Sequence, residues 1–88
     1  MNKYERTPEY ILDLHGQTKV ETEILIDDIL KHKKYTHFRI ITGKGTHSET
    51  GPVLQSFVKE YLSTRGIHFN PAKIKDGGEG AFEVFTQK

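Results

Sequence analysis

The sequence predicts an α/β domain with a four-stranded mixed sheet, and three observations carry that prediction. Two apolar strand segments each run into a helix signal. The two helices carry apolar residues at helical spacing. Two short strand segments follow, giving the order β-α-β-α-β-β. Consecutive strand-helix units imply right-handed crossovers and parallel pairing of the first two strands. Two helices can cover one face of such a sheet. The other face is open, or partly shielded by the N-terminal arm.

Residues 1–9 read as that arm, polar and broken by Pro8, with the domain proper spanning 10–88. The first strand is Tyr10 to Leu14. With Leu12 and Leu14 facing the core, the period of two sends Asp13 and His15 to the other side. Thr18 followed by Glu21 is a capping-box pair that starts the first helix, which runs to about Lys33. Thr22, Leu25, Ile26, Ile29 and Leu30 form its inner stripe, while Val20 and Ile24 fall outside it. "THFRIITGKG" is the second strand, and "TGKGTHSETG" a polar loop of turn formers. Pro52 opens the second helix, whose stripe is Leu54, Phe57, Val58, Tyr61 and Leu62; Gly66 ends it. A third strand lies in "IHFNPAKI", "KDGGEG" is a turn, and "AFEVFTQ" is the last strand.

Composition bounds the function classes. With 88 residues, 34% hydrophobic and 28% charged, the chain is one small globular domain. It has no cysteine, hence no disulfide framework and no thiolate zinc site, which agrees with a cytoplasmic location. The N-terminus lacks the apolar core of a signal peptide, and no apolar run approaches the roughly 20 residues of a membrane span, so no membrane partner is expected. A net charge of +1 means that any nucleic-acid surface must be local.

Two stretches carry chemistry. Asp13 and His15 sit two residues apart at the end of an apolar strand, just before Gly16. A carboxylate beside an imidazole fixes its tautomer and raises its basicity, which suits proton transfer. The plain alternative is a solvated pair on an exposed strand. The loop "TGKGTHSETG" offers glycine amides and Lys44 to a phosphate, although it is not a P-loop; its plain alternative is a long turn. Both loops follow parallel strands, so they meet at the edge where α/β sheets bind ligands, and His47 and Ser48 can join the first pair. Lys44, Lys19 and Arg39 are the expected phosphate contacts. His32 and His37 flank a helix-to-strand turn and read as solvated, and His68 decorates the third strand. "KHKK" at 31–34 reads as a basic helix terminus complementing the dipole. No H-E-x-x-H is present, and a hairpin turn explains Asp76 and Glu79 without a metal.

"LDLHG" at 12–16, "IITGKGTHS" at 40–48, "GPVLQSFVKEYL" and "GGEGAFEV" together resemble the Smr (small MutS-related) domain over residues 10–86. The resemblance implies a two-layer α/β sandwich like the C-terminal domain of translation initiation factor three. It implies nucleic-acid binding and, in several members, endonuclease activity on DNA or RNA. The family's L-D-x-H motif falls on Leu12, Asp13 and His15, with Gly16 following; its [HT]-G-x-G motif falls on Thr42, Gly43, Lys44 and Gly45. Two positions depart from many bacterial members: Thr42 stands where they carry His, and Gln55 stands near their Arg. The expected chemistry is phosphodiester cleavage, with Asp13 orienting His15, His15 moving a proton, and Lys44 with the loop amides holding the phosphate. On RNA the 2′-hydroxyl supplies the nucleophile and no metal is required; on DNA a divalent cation held by Asp13 would activate water. A ribosome or a larger protein could recruit the domain. The rival readings are a nucleic-acid-binding module without turnover and a protein-interaction module, the latter calling for an exposed apolar patch.

Overall fold

A computed structural model describes residues 7–43, 51–72 and 80–86, with only the backbone described at 51 and 52. The elements are β1 (Tyr10–Asp13), α1 (Lys19–Lys31), β2 (His37–Ile41), α2 (Gly51–Thr64), β3 (His68–Pro71) and β4 (Ala81–Phe85). They form one four-stranded sheet in the order β1-β2-β4-β3. β1 runs parallel to β2, with Leu12 opposite Ile40 and Asp13 opposite Ile41. β4 is antiparallel to both of its neighbours. The mixed sheet and the parallel first pair follow the sequence reading.

Strand parity divides the two faces. Leu12, Phe38, Ile40, Phe82 and Val84 point one way and join Ile26 and Ile29 of α1 and Val58, Tyr61 and Leu62 of α2 in one buried cluster. Both helices therefore cover the same face. Thr18 caps α1 as expected: its hydroxyl accepts from Glu21 N–H at 3.1 Å, and the Glu21 carboxylate accepts from Thr18 N–H at 2.9 Å.

The inner stripe of α1 is narrower than its spacing suggests. Thr22, Ile26 and Ile29 are buried, but Leu25 lies on the rim and is exposed. Val20 and Ile24 are exposed, as expected. On α2, Leu54, Val58, Tyr61 and Leu62 are buried, while Phe57 is half-buried and tilts against Tyr61.

The helices end alike. At α2, Gly66 N–H bonds Ser63 O and Ile67 N–H bonds Leu62 O, with Gly66 at φ 68°. At α1, Lys33 N–H bonds Leu30 O and Lys34 N–H bonds Ile29 O, with Lys33 at φ 49°. Both are Schellman terminations, one with glycine and one with lysine at the left-handed position. The left-handed turn at Lys33 is why α1 stops at Lys31, short of the expected end.

The opposite sheet face corrects the reading of His37 as solvated. His37 is 5% exposed. It stacks on Phe85 at 4.6 Å, and its Nε2 lies 2.6 Å from Glu83 Oε1. Arg39 Nε donates to the other oxygen of the same carboxylate. The register that sets His37 opposite Phe85, and Arg39 opposite Glu83, builds this cluster across β2 and β4. No sequence neighbour of His37 announces it. Arg39, half-buried and committed to Glu83, is therefore a structural cation rather than the phosphate contact expected of it.

Candidate functional site

The site grows from how β1 ends. Leu14 N–H bonds Ile41 O at 2.7 Å, extending the parallel ladder by one residue, and Leu14 is fully buried. The chain then turns at once, with Gln17 N–H bonding Leu14 O at 2.9 Å. Gly16 occupies the third position of this β-turn at φ 81°, which glycine adopts without steric cost. Thr18 follows as the α1 cap. His15 is thus held between a buried leucine and a glycine turn.

Asp13 completes the geometry. Its Oδ1 accepts from His15 N–H at 3.1 Å and lies 2.6 Å from His15 Nδ1. The two side chains are 49% and 74% exposed. The hydrogen bond from the His15 side chain holds the Asp13 carboxyl below its ordinary range, against a smaller opposing effect of burial. With Nδ1 donating to the carboxylate, Nε2 is left as the proton-transfer atom.

The glycine loop comes alongside. A Cβ placed on Gly43 would sit 3.8 Å from the His15 Cβ, so the "LDLHG" and "TGKG" segments are neighbours, as their positions after parallel strands predict. Gly43 has φ 85°. Thr42 N–H and Gly43 N–H both donate to Gly80 O, at 2.8 and 3.1 Å. Gln55 Nε2 donates to Gly43 O at 3.0 Å. The residue before β4 and the second turn of α2 therefore fix Thr42 and Gly43, where the loop begins.

Thr42, expected to contact substrate, is 1% exposed, and its hydroxyl faces the carbonyls of Gly43 and Gly80 at 3.3 Å. It shapes the loop and does not present itself to a ligand. Gln55, placed by sequence only near a missing arginine, turns out to be the side chain that ties α2 to the loop. Its distance of twelve residues from Gly43 hides that contact from local pattern. Lys44, Gly45, His47 and Ser48 lie outside the described residues, as does the turn carrying Asp76 and Glu79. Among the described residues, no group of three or more His, Asp or Glu side chains is placed to hold a metal ion, and no helix is long and apolar enough to cross a membrane.

The fold and this corner define a class: a two-layer α/β domain with an exposed Asp–His pair against a glycine loop at the parallel end of its sheet. The chain belongs to the Smr domain family, whose model matches residues 12–87. Members of this family are commonly associated with nucleic-acid binding or protein interaction. It is similar to the Smr domain of Thermus thermophilus MutS2, with a TM-score of 0.75 and 25% identity over 90% of this chain and 99% of that one. It is also similar to the B3BP Smr domain, with a TM-score of 0.70 and 25% identity over 91% of this chain and 80% of that one. An uncharacterized protein of Treponema pallidum is 34% identical over 87 residues; the match takes in 92% of this chain and 43% of that relative.

Proposed function

We propose that this domain binds nucleic acid and cleaves its phosphodiester backbone, with Asp13 and His15 as the catalytic pair. The observation that carries the reading is the 2.6 Å Asp13–His15 contact on an imidazole that stays three-quarters exposed beside Gly43. The carboxylate fixes the ring and supports the imidazolium that forms when His15 takes a proton.

On RNA the step balances without a metal. His15 Nε2 takes the proton of a 2′-hydroxyl, the 2′-oxygen bonds to phosphorus, and the bond from phosphorus to the 5′-oxygen breaks. The leaving 5′-oxygen takes the proton back from the His15 imidazolium, giving a cyclic phosphate and a 5′-hydroxyl end and restoring the neutral imidazole. Backbone amides of the glycine loop, with Lys44, would bear the charge developing on the phosphate. On DNA a water must replace the 2′-hydroxyl, and Asp13 would hold the divalent cation that activates it. Gly16, Gly43 and Gly45 let the backbone approach the phosphate, and His47 and Ser48 extend the contact. A cytoplasmic location and recruitment by a ribosome or a larger protein belong to the same proposal.

One observation favours a second reading, a binding module without turnover. Thr42 stands where many relatives carry histidine, and it is turned inward. Among the described residues, His15 is then the one imidazole at the site. The deciding experiment is a gel assay on labelled single-stranded RNA, with wild type and His15→Ala, with and without chelator. The proposal expects cleavage by wild type that survives chelation, and none by His15→Ala, with binding retained. Equal cleavage by both proteins removes the catalytic role. Binding without cleavage by either leaves the second reading.

A further inference from the structure

At the other end of β1, away from Asp13 and His15, two tyrosines lie flat on each other. The Tyr10 and Tyr35 rings are 4.9 Å apart and tilted by only 4°. Tyr35 is the inner ring, half-buried and packed against the core cluster. Tyr10 is the outer ring, 41% exposed on an edge strand. The arrangement is a stack that starts in the core and ends in solvent.

Beside it stands the basic end of α1. His32 and Lys34 are held by Asp28, at 3.0 and 2.9 Å. Lys31 and Lys33 are exposed and, among the described residues, make no ion pair. Lys33 occupies the left-handed position that Gly66 fills at α2, with equivalent hydrogen bonds. A side chain at positive φ is disfavoured where glycine is not. The fold could have glycine at both ends, and at α1 it carries a cation instead.

We infer that Tyr10, stacked on Tyr35 beside the helix end that carries Lys31 and Lys33, is a platform for an unpaired base of a single-stranded nucleic acid. An aromatic face accepts any base, and the two lysines supply the phosphate attraction that stacking lacks. Tyr10 and Asp13 are three residues apart on β1, about 10 Å along the strand. Tyr10 shares the face of Leu12 and Asp13 lies on the opposite one, so a single strand engaging both would cross the sheet at its β1 edge. The platform grips the strand, and the Asp13–His15 corner meets its backbone. This inference rests on the nucleic-acid reading and extends it: the domain prefers unpaired strands and has weak sequence selectivity.

The test is fluorescence anisotropy with a labelled single-stranded RNA oligonucleotide of about 12 nucleotides, using wild type, Tyr10→Ala, Tyr10→Phe and Lys33→Gly. Tyr10→Ala is expected to weaken binding about 5- to 100-fold, and Tyr10→Phe to restore it, because the ring and not the hydroxyl makes the stack. Lys33→Gly is expected to raise the melting temperature while weakening binding, and to lower the salt slope of log affinity by about 0.7. That pairing of higher stability with lower affinity cannot come from a damaged fold. Wild-type binding that none of the three substitutions changes overturns the platform and leaves the nucleic-acid reading intact. No wild-type binding to single-stranded or duplex probes overturns both.

Discussion

Among the described residues, two histidine–carboxylate pairs share the same 2.6 Å contact. Asp13–His15 joins neighbours two residues apart, through Nδ1, at the rim of the sheet. His37–Glu83 joins strands 46 residues apart in sequence, through Nε2, in the middle of it. The side chains are 74% and 49% exposed in the first pair, against 7% and 15% in the second. In the rim pair the second ring nitrogen faces a surface that a substrate can reach. In the central pair it is His37 Nδ1, buried without a hydrogen-bond partner among the described residues. The same contact thus serves two ends: in the centre it ties two strands together, and at the rim, on the function proposed above, it prepares a proton carrier. What separates a structural pair from a chemical one here is the setting of the free nitrogen.

The comparison can be broken by removing each carboxylate in turn. Glu83→Ala leaves Arg39 and His37 without their shared acceptor. Loss of one partner from a buried pair costs about 3 kcal/mol or more, which a urea melt would read as a large drop in midpoint. Asp13→Ala, removing a half-exposed partner, should change stability by no more than about 0.5 kcal/mol and should instead reduce cleavage. A stability loss at Asp13 matching that at Glu83 would make both pairs structural.

A middle-sized effect is expected at the glycine loop. Gln55→Ala removes the donor to Gly43 O, costing about 1 kcal/mol in the same melt. Its larger consequence should be on cleavage, because the loop's shape relative to His15 is loosened. Gln55→Leu with full activity would show that the Thr42 and Gly43 bonds to Gly80 suffice.

The smallest effect is a pH dependence. Asp13 titrates lower in the folded protein than its ordinary range, because His15 donates to it. Its contribution to stability is therefore complete above the unfolded carboxylate value, and is lost as pH falls through the lower folded value. Wild type should exceed Asp13→Asn slightly at neutral pH, and the gap should close in the acid range. A gap that persists into strong acid would assign the difference to something other than the carboxylate charge.

The sequence makes the rim pair legible and the central pair not. Asp13 and His15 stand in one short motif, after an alternating strand and before a glycine, so parity alone turns them away from Leu12 and Leu14. The capping box at Thr18 and the Schellman glycine at Gly66 are equally local. His37 meets Glu83 only because β4 inserts between β2 and β3, and nothing within a few residues of His37 encodes that pairing. Read locally, a histidine after "KYT" is a turn residue. Gln55 and Gly43 are hidden for the same reason. Lys33 fails differently: its neighbours suit a helix, and only the left-handed termination of the actual backbone excludes it.

The position of β4 also dictates an order of events during synthesis. Residues 10–43 carry the Asp13–His15 turn and the start of the glycine loop, and β1, α1 and β2 can assemble as soon as they emerge. The glycine loop still lacks Gly80 O, the acceptor for Thr42 and Gly43 N–H, and β3 has no strand to pair with until β4 arrives. At about 5–20 residues per second, translation takes several seconds to pass from Gly43 to Phe85. During that interval the nascent chain bears the Asp13–His15 motif without the carbonyl that anchors the start of the glycine loop. The domain's last-made strand is therefore the one that completes this corner.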